Sequence, residues 1–197
     1  MRNLVRSIVL LLALGLSEPV LAGPLEDADA AYDKQDYATA LRLLRPLGNR
    51  GDAWAQNRLG SMYYLGRGVP HDYAQAVKWY RMAADQGDAW AQAMLGIMYQ
   101  AGDGVPKDDA QALKWYRLAA DQGDAGAQSN LGSMYYLGRG VPKDYVEAHK
   151  WFNLAAAGAS DSDVHEEAVK ARDELARMMT PAQIVEALRM SRDWRPK

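Results

Sequence analysis

Shifted by 36 residues, the chain falls on itself. Gly51-Asp52-Ala53-Trp54-Ala55-Gln56 returns at Gly87 to Gln92, and again at Gly123 to Gln128 with Gly126 in place of tryptophan. Leu59-Gly60 returns as Leu95-Gly96 and Leu131-Gly132. Gly68-Val69-Pro70 returns at 104–106 and 140–142, and Trp79-Tyr80 as Trp115-Tyr116 and Trp151-Phe152. The stretch from Leu59 to Pro70 recurs letter for letter from Leu131 to Pro142. A period of this length marks stacked supersecondary units, each unable to bury its apolar side without a neighbour. The chain therefore divides into a leader (1–22), a partial opening repeat (23–51), three full repeats (52–87, 88–123 and 124–159) and a capping segment (160–197).

Each unit reads as a helix pair, which makes the fold all-α. Asp52, Asp88 and Asp124 precede apolar-periodic runs and are N-caps for a first helix, A. That helix stops at Gly66, Gly102 or Gly138, where left-handed backbone is common. Asp72, Asp108 and Asp144, each followed three residues later by Gln or Glu, predict capping boxes opening a second helix, B. On helix B, Ala76, Trp79, Tyr80, Ala83 and Ala84 form one buried stripe. Gly60, Gly96 and Gly132 lie mid-helix, where glycine costs about 1 kcal/mol. The expected reason is a close approach of helix B.

The ends depart from the pattern. A shortened helix A is expected around 25–34, before a helix starting at Tyr37. After 160 the glycine loop is missing, Ser160 takes the place of Asp124, and one longer helix is expected from Asp163 to Met178. Thr180-Pro181-Ala182-Gln183 is a capping box with proline at the first helical position. It opens a last helix to about Arg192, with Trp194 packing the tail.

Arg2 and Arg6 precede the apolar run Ile8 to Leu16, and Val20-Leu21-Ala22 offers small residues for cleavage. That run is too short to span a bilayer, which needs about 20 residues, so the segment reads as a signal peptide cleaved after Ala22. The rest then carries 21 basic and 24 acidic residues. Such a balance recommends neither nucleic acid nor an anionic membrane as partner. The chain has no cysteine, so disulfides, thiolate metal sites and thiol nucleophiles are excluded.

The pattern Ala-Gln-x-x-Leu-Gly-x-Met-Tyr, Gly-x-Gly-Val-Pro, Ala-x-x-Trp-Tyr-x-x-Ala-Ala over 52–159 resembles the Sel1-like repeat, a relative of the tetratricopeptide repeat. The resemblance implies a right-handed α-α superhelix acting as a protein-interaction adaptor. Cysteine-rich exported relatives with penicillin-binding or weak β-lactamase activity exist in the family. The absence of cysteine here argues against that branch.

No catalytic residue, cofactor or metal site is expected. His71, His149 and His165 are isolated, with His71 solvated and His149 near the repeat interface. Gly66-Arg67-Gly68 lacks the strand that a phosphate loop follows, and Asp161-Ser162-Asp163 lacks the rest of a calcium loop. For partner binding, positions that differ between copies are the candidates. On helix A they share one face: Trp54, Asn57, Arg58, Ser61 and Tyr64; Trp90, Met94, Ile97 and Gln100; and Ser129, Asn130, Ser133 and Tyr136. Trp54 and Trp90 read equally as anchors or as fillers between repeats, whereas Asn57, Ser61 and Tyr64 are expected to be exposed. The function expected is a monomeric scaffold, periplasmic or secreted, that holds a protein or peptide of the cell envelope on the concave face and does not insert into a membrane. A cell-wall hydrolase or penicillin-binding activity is the alternative.

Overall fold

The computed structural model describes residues 23–197; the predicted leader, 1–22, lies outside them. Ten helices follow in order: α1 (Pro24–Asp33), α2 (Tyr37–Asn49), α3 (Ala53–Leu65), α4 (Tyr73–Ala84), α5 (Ala89–Ala101), α6 (Asp109–Asp121), α7 (Ala125–Leu137), α8 (Tyr145–Gly158), α9 (Ser162–Ala176) and α10 (Pro181–Asp193). Through α9, consecutive helices pack in chain order, so α1 to α9 form a solenoid of A and B helices.

The aspartate caps form as the sequence predicts. Asp52, Asp88 and Asp124 accept from the amides of Ala55, Ala91 and Ala127, and Gly66, Gly102 and Gly138 end the A helices in left-handed backbone. Asp72, Asp108 and Asp144 likewise cap the B helices, but the expected reciprocal half of those boxes is absent. In α8, Glu147 accepts instead from Lys150 Nζ at 3.0 Å and Trp151 Nε1 at 2.9 Å. This satisfies the buried indole N–H of Trp151, whereas the equivalent Trp115 Nε1 of α6 has no partner among the described residues. The capping box at Thr180 and Gln183 is complete.

The mid-helix glycines are contact points. A Cβ on Gly60 would sit 2.6 Å from the Tyr80 ring, one on Gly96 2.5 Å from Tyr116, and one on Gly132 2.9 Å from Phe152. Each A helix therefore lies against the ring of its own B helix. On the B stripe, Ala76, Tyr80, Ala83 and Ala84 are buried as expected. Trp79 is only half-buried, unlike Trp115 and Trp151, because the partial opening repeat covers it less fully.

Two sets of polar ties join one repeat to the next. Gln56, Gln92 and Gln128, all buried, donate to the carbonyls of Gly48, Ala84 and Ala120 at the end of the preceding B helix. Gln86 and Gln122, in the turn that closes each repeat, donate to Gln56 and Gln92 of the same repeat at 2.7 and 2.8 Å and so hold those glutamines in place. In parallel, Arg45, Arg81 and Arg117 donate to the hydroxyls of Tyr63, Tyr99 and Tyr135 on the following A helix. Arg81 and Arg117 also stand over the rings of Trp115 and Trp151.

The C-terminal end is built differently. The cap of α9 is Asp161, one residue beyond the position of Ser160, because helix α8, at 14 residues against 13 for α6, runs one residue further before the turn. Helix α10 turns back along α8, where Ala187 is buried with Ala148 and Phe152, and Asn153 donates to Ser191. Trp194 meets Trp151 edge-on, and Lys197 Nζ reaches Asp121 at 2.7 Å.

His149 stands where the other copies have Val77 and Leu113, and it is buried. Burial, aided by the Arg172 charge and opposed by Asp173, lowers its pKa from 6.5. The fold favours the neutral ring, so below about pH 6.5 the unfolded chain binds a proton that the folded chain resists. Stability therefore falls as pH drops through that range. Melting temperatures at pH 7.5 and 5.5 should differ less for His149→Leu than for the parent; an unchanged difference would refute the assignment.

Candidate interaction face

Of the variable A-helix positions, Trp54, Asn57, Arg58, Ser61, Trp90, Ser133 and Tyr136 line three clefts, whereas Tyr64, Met94, Ile97, Gln100, Ser129 and Asn130 line none of them. The first, of about 400 Å³, is lined by Tyr32 of α1, Trp54, Asn57, Arg58, Ser61 and Leu65 of α3, Arg67 of the following loop, and Trp90 of α5. The second, of about 460 Å³, runs from Trp90 across the starts of α7 and α9. The third, of about 230 Å³, holds Ser133 and Tyr136 against Phe152, Leu175 and Met178.

Trp90 is 57% exposed and borders both larger clefts, so it stands as a ridge between them. Trp54 is half-buried, with the Arg58 guanidinium 4.9 Å above its ring. Arg58 also stands 5.2 Å from the Tyr32 ring centre and pairs with Asp29 at 2.8 Å. Arg67 donates to the Tyr32 hydroxyl. The cleft thus has aromatic walls and two guanidinium groups, one of them already paired.

Asn57, Ser61 and Tyr64 are half-buried rather than freely exposed. Asn57 Nδ2 donates to the capping carboxylate of Asp88 at 2.9 Å. Ser61 Oγ lies 3.0 Å from the Tyr80 hydroxyl. In the next repeat Ile97 cannot make that bond, and Gln100 accepts from Tyr116 at 2.9 Å instead. In the third, Phe152 has no hydroxyl to satisfy. Part of the variation between copies is therefore compensation within the packing. Met94 is buried with Leu95, Met98 and Trp115, and Ile97 packs beside it. Tyr64 packs on Tyr73, and Tyr136 on Tyr145. Ser129 and Asn130 are half-buried on α7.

Tyr32 and Arg67 were not singled out from the sequence. Tyr32 lies in the shortened opening unit, where comparison at 36 residues has no counterpart to set beside it. Arg67 is matched by Arg139 but by Asp103 in the middle copy, a difference in a loop rather than on the helix face.

Burial pushes the Tyr80 hydroxyl up to about 12 and the Tyr116 hydroxyl higher still. Both stay protonated as packing groups. Among the described residues no cluster of three or more His, Asp or Glu side chains is arranged to hold a metal ion, and no helix is long and apolar enough to cross a membrane.

The Sel1 repeat family model matches residues 55–88, 91–124 and 125–160, together more than half of the chain. Among solved structures, the chain is similar to c5321, a protective antigen present in uropathogenic Escherichia coli strains that displays an SLR fold, with 36% identity over 87% of this chain and a TM-score of 0.72. It spans 36% of the length of that antigen. It is also similar to a Sel1 repeat protein from Oxalobacter formigenes, with 30% identity, 86% of this chain and 74% of the other covered, and a TM-score of 0.67. A comparison with curated proteins returned no match. The repeat model and both structures agree with the stacking described above: the chain belongs to the Sel1 repeat family.

Proposed function

We propose that this protein is a non-enzymatic scaffold of the bacterial cell envelope that holds a protein or peptide against the A-helix face. Sel1 repeat proteins are in general protein-interaction scaffolds. The observation that carries the reading here is Trp90. A tryptophan more than half exposed, standing between two clefts of about 400 and 460 Å³, is the kind of anchor on which interface energy concentrates. Tyr32, Trp54 and Arg58 supply further aromatic and guanidinium surface beside it, and Ser133 and Tyr136 continue the face to its far end.

Export to the periplasm or the medium rests on the leader-like residues 1–22, and localising a tagged chain in cell fractions tests it. For binding, crosslinked partners of the parent should be compared with those of Trp90→Ala combined with Tyr136→Ala. We expect loss of the specific partners by at least about tenfold, the equivalent of 1.4 kcal/mol. Unchanged recovery would overturn the reading of this face.

A further inference from the structure

The buried glutamine series breaks at its third member. Gln56 and Gln92 each have their side-chain oxygen occupied by a glutamine from the next turn. Gln128, 2% exposed, has no partner for its Oε1 among the described residues. The position of Gln86 and Gln122 is taken in the third copy by Gly158. The Cβ that Gly158 lacks would lie 4.0 Å from that oxygen, and Gly158 itself lines the second cleft. The tryptophan position is emptied too, because Gly126 stands where Trp54 and Trp90 stand. The cleft is therefore bordered by an exposed indole from the preceding repeat, and an unpaired acceptor lies behind Gly158 in its wall.

Charge points to what enters it. Aligning the caps Asp124 and Asp161 places Asp163, Glu166 and Glu167 of α9 at the positions of Gly126, Ser129 and Asn130 on the face. All three are exposed, and none is in an ion pair among the described residues. Lys170 follows on the same face. The starts of α7 and α9 contribute about half a positive charge each. The carboxylates of Asp124, Asp161 and Asp163 outweigh them. An open indole face, a buried acceptor and surrounding carboxylates all suit a group that only donates hydrogen bonds and carries positive charge.

We propose that the cleft between Trp90 and the starts of α7 and α9 receives a lysine or arginine side chain of a basic partner segment, with the acidic face of α9 holding the residues beside it. This rests on the scaffold reading and names the chemistry of its partner.

Fluorescent octapeptides of alternating alanine with lysine, glutamine or glutamate test it by anisotropy against the full chain. The lysine peptide should bind at least about tenfold more tightly than the glutamine peptide at low salt, and more weakly at roughly 0.3 M salt as exposed charges are screened. Gly158→Gln, which offers Gln128 an internal donor and fills the cleft, should weaken lysine-peptide binding about tenfold; Trp90→Ala should do the same. Circular dichroism and melting establish that each variant is folded, and Trp90→Ala serves alone if Gly158→Gln does not fold. Equal affinity for the lysine and glutamine peptides overturns the proposal, and so does full lysine-peptide binding by a folded Gly158→Gln. If the lysine peptide fails while crosslinked partners still depend on Trp90, the basic segment falls and the scaffold reading stands. Partners indifferent to Trp90 and Tyr136 overturn the scaffold reading itself.

Discussion

Gly104→Ala is expected to lower stability by about 3 kcal/mol. The residue has φ +70°, and a Cβ there would sit 2.5 Å from the carbonyl carbon and oxygen of Tyr73 and 2.8 Å from the amide nitrogen of Ala74. Left-handed backbone alone costs a non-glycine residue roughly 1–2 kcal/mol. The overlap adds to this because the atoms met are backbone at the start of α4 and cannot swing aside. The loop of one repeat leans here on the B helix of the repeat before it, and Gly68 and Gly140 make the same approach to Tyr37 and Asp109. Gly87 is the control. Its φ is +95° but nothing lies within 4 Å of the position, so Gly87→Ala should cost only about 1 kcal/mol. For a chain of this size, 3 kcal/mol is a fall of roughly 6–12 °C in melting temperature. Equal melting temperatures for the two variants would show that the inter-repeat contact does not matter.

Gly96→Leu should be at least as damaging, by about 4 kcal/mol, for a different reason. The backbone at Gly96 is helical, so alanine or leucine would gain up to about 1 kcal/mol of propensity. Against that gain, the first added carbon would already stand 2.5 Å from the ring of Tyr116. That ring is fully buried, and its hydroxyl is tied to Gln100. Overpacking a closed core typically costs about 1–3 kcal/mol, more for a branched side chain with nowhere to go. The sign is therefore set by the ring and not by the helix. Gly96→Ala should be destabilising despite its propensity, and Tyr116→Leu in the same chain should recover part of the loss, a coupling readable by urea denaturation. Simple additivity of the two changes would rule out the contact.

These effects trace what could be read from residues alone. Caps, loop glycines and the Gly96 contact were legible because each depends on a short-range demand that one residue type meets. The one-residue shift of the α9 cap was not, since Ser160 and Asp161 are both good caps and the choice between them follows from how far α8 runs before it ends. The face was partly legible. Treating variable positions as free for a ligand singled out Trp90 and Tyr136, which line clefts. It could not tell that Ser61 and Gln100 change together to satisfy tyrosine hydroxyls on the B helices, or that Met94 fills the interface between repeats. The break at Gly158 was visible as a letter, but its meaning needed the bond from Gln122 to Gln92.

The glutamine ties also bear on how the solenoid bends. Gln56 and Gln92 each join the end of one B helix, the first turn of an A helix and the turn after the next B helix. A repeat cannot tilt on its neighbour there without stretching the buried bonds to the carbonyls of Gly48 and Ala84. Gln128 makes only the backward half of that connection. All three junctions are thus pinned by the same buried bond, and what the third repeat lacks is the tie between its own A helix and the turn after its B helix, like a rod clamped along its length with compliance near one end. The untied turn lies beside Trp90 and α9, so the width of the face can adjust where its walls are most exposed.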